Sequence, residues 1–227
     1  MIHGVKISAS IVCANWMRLE EDLRTLERND VDYVHYDIMD GFFAQDFCMG
    51  TQIIQEIRRN TRLPGDYHLM VEEPARILGN FSPNPQDILT IHYEACRNLH
   101  RDLMQVKRLG CRVGLALNPA TALEAIEYVI EEVDVIMIMT VNPGYAGQKL
   151  VPQTLKKIEI LRDLRAKDKL RFEISVDGNV GGPNIPHMVA AGADMLVGGS
   201  SGLFSKDCPL DESFQKLGDL IAQGKRP

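Results

Sequence analysis

The run Tyr33-Val34-His35-Tyr36-Asp37-Ile38-Met39 alternates two chemistries residue by residue. Successive side chains of a strand point to opposite faces. Val34, Tyr36 and Ile38 therefore share one face, and His35, Asp37 and Met39 share the other. The apolar face can receive a helix, which leaves the imidazole and the carboxylate pointing into an interior.

The same alternation returns on both sides of this run. Val5, Ile7 and Ala9 oppose Lys6, Ser8 and Ser10 within Val5–Ser10. Tyr67, Leu69 and Val71 oppose Asp66, His68 and Met70 within Asp66–Val71. Around Arg171–Val176, Phe172, Ile174 and Val176 oppose Glu173, Ser175 and Asp177. Four further strand-like runs are Ile88–His92, Arg112–Leu117, Val135–Met139 and Met195–Val197. Helical patterns stand between them at Met17–Arg28, Gln52–Arg59, Leu99–Leu109, Ala122–Glu131, Pro152–Arg165 and Ile185–Ala191, with a short connection around Pro74–Asn80. Repeated strand–helix units predict a parallel sheet. About eight of them in one chain predict a closed (β/α)8 TIM barrel, here a single domain over residues 1–227. No G-x-G-x-x-G fingerprint follows the first run, and no linker divides the chain, so a dinucleotide-binding fold is not expected.

Composition narrows the partners. The 227 residues are 45% hydrophobic and 25% charged, with a net charge of −6. An acidic body repels polyanions, which argues against nucleic acid and anionic membrane. Five scattered cysteines without a C-x-x-C pair argue against a disulfide scaffold and for a reducing cytoplasm. The start MIHGVKISAS lacks an apolar h-region, and no run of about 18 apolar residues suggests a membrane span.

In a barrel, strand ends carry inward-facing side chains to the C-terminal mouth, where active sites of this fold lie. His35, Asp37, His68 and Asp177 should converge there from three strands. Burying carboxylates without a compensating cation costs several kcal/mol each. Two imidazoles with two carboxylates suit one divalent ion such as zinc, iron, manganese or cobalt. Glycine-rich turns follow three later strands: Asn142-Pro143-Gly144-Tyr145-Ala146-Gly147, Asp177-Gly178-Asn179 and Gly198-Gly199-Ser200-Ser201-Gly202. Backbone N–H groups in such turns can hold a phosphate without net positive charge. After the last two strands, barrels often add the N-terminus of a short extra helix. Gly181-Gly182-Pro183 reads as a helix start.

Together these motifs resemble the ribulose-phosphate 3-epimerase family. The matching stretches are ISASI at residues 7–11, HYDIMDG at 35–41, HLMV at 68–71, IHYEA at 91–95, LNPAT at 117–121, MTVNPGYAGQ at 139–148, VDG at 176–178 and Gly199-Ser200. The resemblance implies His35, Asp37, His68 and Asp177 as metal ligands, with Asp37 and Asp177 as the catalytic acid/base pair. It implies substrate contacts from Ser10, His68, Met39, Met139, Gly144, Tyr145, Ala146, Gly147, Gly178, Gly199 and Ser200. The expected reaction moves the C3 proton of ribulose 5-phosphate or xylulose 5-phosphate through a cis-enediolate, beside a Lewis-acidic ion. A small phosphorylated ketose is thus the expected partner, and a homo-oligomer the expected assembly.

Some positions depart from the family pattern. Phe42, Phe43, Ala44, Gln45 and Asp46 stand where His-Phe-Val-Pro-Asn is usual, Ala9 stands for a proline, Ala146 for a glycine and Asn179 for a glycine. The Ala-Gly-Gln loop and Ser201–Phe204 look closer to the allulose-6-phosphate 3-epimerase branch, which remains an alternative. A barrel decarboxylase would place a lysine in an Asp-x-Lys-x-x-Asp arrangement, whereas Asp37-Ile38-Met39-Asp40 has none. A non-catalytic phospho-sugar binder would not need two opposed carboxylates.

Overall fold

The computed structural model describes residues 1–225. Eight parallel strands close a barrel: β1 (Lys6–Ser10), β2 (Tyr33–Asp40), β4 (Gly65–Met70), β5 (Ile88–His92), β6 (Arg112–Leu117), β7 (Val135–Met139), β8 (Glu173–Asp177) and β9 (Met195–Gly198). The ring shuts because β1 pairs with both β2 and β9. A two-residue strand, β3 (Phe47–Cys48), lies antiparallel on the end of β2.

The helices are α1 (Leu19–Arg28), α2 (Thr51–Arg59), α3 (Leu99–Arg108), α4 (Gln153–Asp168), α5 (Asn184–Ala191) and α6 (Leu210–Gly224). Each buries a stripe at i, i+3 or i+4 spacing, such as Leu23 and Leu26, Ile54 and Ile57, or Leu103 and Val106. These stripes join the outward strand residues Val34, Tyr36, Leu69, Ile91 and Ile174 in one core. Burial of each such side chain contributes about 1.5–3 kcal/mol.

Inside the barrel, side chains stack in layers drawn from alternate strands. Tyr33, Ile88, Val135 and Met195 form one apolar layer. Below it Glu173 pairs with Lys6 at 2.6 Å and with Arg112 at 3.1 Å, while Arg112 donates to the Tyr33 hydroxyl at 2.9 Å. Toward the mouth the interior becomes polar.

Four differences from the expected elements are found. The pattern Ala122–Glu131 forms no α-helix but two 3-10 turns, Leu123–Ile126 and Ile130–Glu132, broken at Val129 (φ −126°, ψ 0°). Ile126, Val129 and Ile130 still reach the core, but their β-branched side chains favour a helix weakly. The connection Pro74–Asn80 is likewise two 3-10 turns, Pro74–Arg76 and Leu78–Asn80. No short helix follows β9. Gly199–Phe204 is a tight turn in which the Gly202 and Phe204 N–H groups donate to the Gly199 carbonyl. Helix α6 was not among the expected helices, although Phe214, Leu217 and Ile221 carry its buried face.

Candidate active site

Strand register builds the centre. Asp37 of β2 lies directly beside His68 of β4, and Met139 of β7 directly beside Asp177 of β8. His35 sits two residues before Asp37, on the same inward face. One ligand atom from each of His35, Asp37, His68 and Asp177 lies within 4.8 Å of all the others. Asp37 Oδ1 is 3.3 Å from His35 Nε2 and 3.5 Å from His68 Nδ1, and Asp177 Oδ2 is 3.4 Å from His68 Nδ1.

Despite that closeness, neither His35 Nε2 nor His68 Nδ1 has a hydrogen-bond partner, and both are buried. Orphaned buried nitrogens are rare and call for an explanation. A divalent cation between them supplies one, since two imidazole nitrogens and two carboxylate oxygens make an ordinary four-ligand set. The residues fit a metal ion.

The outer partners orient these ligands. Asp66 Oδ2 lies 2.7 Å from His35 Nδ1 and accepts from Ser8 Oγ at 2.7 Å, so the Nε2 edge of His35 faces the centre. Ser10 Oγ donates to Asp37 Oδ2 at 2.7 Å, leaving Oδ1 on the side of the imidazoles. Burial pushes the Asp37 carboxyl up, but the adjoining His35 and His68 imidazoles outweigh it and hold it well below the usual carboxylate range. Burial opposes the charged form of His35 too, yet Asp37 and Asp66 hold its imidazole well above its ordinary value. Behind His68 lies His92, with Nε2 atoms 2.8 Å apart, and behind that Glu94, whose Oε2 is 3.3 Å from His92 Nδ1. Burial lowers His92 to about 4, so its ring is neutral.

Above the cluster opens a cavity of about 270 Å³. Ser10, Asp37, Met39, Met139 and Asp177 line it together with Gly144, Tyr145, Ala146, Gly147, Gly178, Gly199 and Ser200. His35 and His68 lie beneath it, fully buried. Among the described residues, the N–H groups of Gly144 to Gly147 donate to no protein acceptor, which suits an anion. The loop is fixed from behind: Gln148 Nε2 donates to the Asn142 and Tyr145 carbonyls at 2.6 and 3.0 Å, and Asn179 Nδ2 donates to the Gln148 carbonyl at 2.9 Å. Gly178 has φ +107°, and a Cβ there would stand 2.6 Å from Val141 Cγ2 and 2.9 Å from Val141 N.

All the expected site residues therefore come together around one cavity. Sequence reading overlooked Asp66, His92 and Glu94 as supports, although Asp66 shares the inward face of β4 with His68 and a strand alternation places His92 inward on β5. It also overlooked Cys13 and Cys48 in the cavity wall, where Asp46 of the divergent segment joins them. In the divergent segment, Phe42 is 86% exposed, and a Cβ on Gly144 would stand 3.3 Å from Gln45 N. Asp40 holds this segment by accepting from the Phe42, Phe43 and Glu72 N–H groups.

Comparison with known proteins makes the class of this barrel specific. The chain belongs to the ribulose-phosphate 3-epimerase family, whose sequence profile matches residues 6–204. It is 39% identical over 198 residues to the ribulose-phosphate 3-epimerase of Bacillus subtilis, covering 87% of this chain and 91% of that one. To the Escherichia coli K12 ribulose-phosphate 3-epimerase it is 40% identical over 198 residues, covering 86% and 87%. The chloroplastic ribulose-5-phosphate-3-epimerase of Arabidopsis thaliana is 39% identical over 203 residues, covering 88% and 72%. Such relatives do not favour the allulose-6-phosphate alternative that the Ala-Gly-Gln loop suggested. Among solved structures, a Pyrococcus furiosus thiamine phosphate pyrophosphorylase superposes with a TM-score of 0.63 at 10% identity, covering 98% of each chain. A Salmonella typhimurium 3-hexulose-6-phosphate synthase gives 0.61 at 14%, covering 97% of this chain and 100% of that one. At those identities the likeness shows the barrel alone. No helix among the described residues is long and apolar enough to cross a membrane.

Proposed function

We propose that the protein is a metal-dependent ribulose-phosphate 3-epimerase, interconverting ribulose 5-phosphate and xylulose 5-phosphate by moving the C3 proton. The observation that carries this reading is that Asp37 and Asp177, from non-adjacent strands, reach within 3.5 and 3.4 Å of one atom, His68 Nδ1. Inversion at carbon needs one carboxylate for each face of a planar enediolate. One of the pair removes the C3 proton while the other, protonated, gives its proton to the opposite face. After turnover the two have exchanged protonation states.

His35, Asp37, His68 and Asp177 would hold the divalent ion, which supplies Lewis acidity at the carbonyl end of the substrate. Zinc, iron, manganese and cobalt all suit this ligand set. The free N–H groups of Gly144 to Gly147, with Gly178, Gly199 and Ser200, would receive the phosphate. Met39 and Met139 wall the reacting carbon with apolar surface, which keeps water from the intermediate.

We take the chain to act as one barrel domain in a reducing cytoplasm, which its five free cysteines support. A homo-oligomer is supported by apolar side chains left exposed on the mouth loops, with Met17 91%, Phe42 86% and Phe47 80% accessible. The test is NMR on metal-loaded protein with ribulose 5-phosphate. Xylulose 5-phosphate should accumulate to equilibrium, and prior stripping with a chelator should abolish the conversion. Undiminished turnover by metal-free protein, or none by loaded protein, would refute the assignment.

A further inference from the structure

We propose that His92 and Glu94 are positioning residues that set the proton of His68 on Nε2, so that its Nδ1 lone pair faces the metal centre. The inference rests on the metal-ligand reading of His68. His68 and His92 are both fully buried, with their Nε2 atoms 2.8 Å apart and no water-exposed edge between them. A nitrogen–nitrogen hydrogen bond needs one donor and one acceptor. If Nδ1 of His68 is a ligand, its proton must sit on Nε2, and His92 Nε2 must accept it. A neutral His92 then carries its own proton on Nδ1, which points at Glu94 Oε2 3.3 Å away.

Glu94 fixes this direction because an ionised carboxylate accepts at every position. Its other oxygen, Oε1, accepts from the Asn118 N–H at 2.8 Å and from the Thr121 hydroxyl. The chain Glu94–His92–His68 therefore runs one way, from a backbone-anchored acceptor to a ligand nitrogen. Thr121 and Asn118 belong to the turn after β6, His92 ends β5, and Glu94 lies in the 3-10 turn that follows it. These residues thus tie a part of the barrel outside the cavity lining to the ligand geometry. His35 has an equivalent support in Asp66, but with a single link.

This arrangement makes Glu94→Gln a sharp substitution, because it changes almost no volume. The amide oxygen must occupy the Oε1 position to keep accepting from the Asn118 N–H. The amide NH2 then faces His92 Nδ1 and donates to it. The His92 proton moves to Nε2, and His68 must accept there, which puts a proton on His68 Nδ1 where the ion would bind. The chain is reversed.

The experiment compares wild type with Glu94→Gln, using zinc as the probe. Zinc affinity is measured by chelator competition, imidazole protonation by nitrogen-15 NMR, and melting of the metal-free proteins by calorimetry. We expect zinc binding to weaken about ten- to a hundred-fold in the variant, the range seen when an outer partner of a ligand is lost. His92 should be protonated at Nδ1 in zinc-loaded wild type and at Nε2 in the variant, with metal-free melting unchanged. Zinc held as tightly by the variant as by wild type overturns the proposal. So does His92 protonated at Nε2 in zinc-loaded wild type, a measurement that decides even if the variant fails to fold. Wild type that takes up no zinc overturns the metal-centre reading itself, a different failure.

Discussion

Gly178 shows how a single backbone position serves the site. Its φ of +107° is costly for any residue with a side chain, and a Cβ would press on Val141 at the rim of the cavity. The residue follows Asp177 directly, so relief of the clash would move both the proposed acid/base carboxylate and the proposed phosphate rim. Gly178→Ala should therefore raise KM for the sugar phosphate and lower kcat, by about ten-fold or more in kcat/KM, which corresponds to ~1.4 kcal/mol. Steady-state kinetics on metal-loaded protein checks this. Unaltered kinetic constants would show that the turn is not part of the site. Asn179 beside it also has a positive φ, +47°. Asparagine tolerates that conformation better than most residues, and its side chain bonds the Gln148 carbonyl. The departure from the usual glycine thus leaves the turn intact.

At the scale of elements, the floor of the barrel joins β1, β6 and β8 through Lys6, Arg112 and Glu173, far from the mouth. Burial alone would raise the Glu173 carboxyl, but Lys6 and Arg112 outweigh it and hold it below its ordinary value. A depressed folded-state value stabilises the fold above the unfolded carboxylate range, and the contribution disappears as pH falls through the folded value. Glu173→Gln should cost about 1–3 kcal/mol near pH ~7, because Lys6 and Arg112 lose their partner. The gap to wild type should close at an acid pH below the folded value, where the wild-type carboxylate is itself protonated. Denaturant unfolding at both pH values measures it, and a gap that persists in acid would mean that charge is not the cause. Alternation made four barrel strands legible, β1, β2, β4 and β8, and short strand-like runs made the other four so. Connections were less legible. In 122–131 the apolar spacing is helical, but spacing alone does not supply the propensity that Val129 and its β-branched neighbours lack. The α6 stripe of Phe214, Leu217 and Ile221 is readable at helical spacing.

For the whole molecule, a closed barrel brings residues separated by more than a hundred positions to one point. The four proposed ligand positions were visible because each sits on a polar strand face, and closure forces those faces together. Their supports were harder to see. Nothing in the run ILTIHYEA at residues 88–95 says that His92 meets His68, since that depends on ring orientation and strand stagger. The divergent loop at 42–46 gave no sign that Ala44 and Gln45 would pack against Gly144. The central claim is that Asp37 and Asp177 each serve one face of the substrate. It is tested most directly by incubating metal-loaded Asp37→Asn and Asp177→Asn with each epimer in heavy water, following deuterium at C3 and measuring metal content alongside. Asparagine preserves shape but cannot carry the proton. The account predicts that neither variant completes epimerisation, and that each still exchanges C3 of one epimer only, a different epimer for each variant. Near wild-type epimerisation by both metal-loaded variants would contradict it.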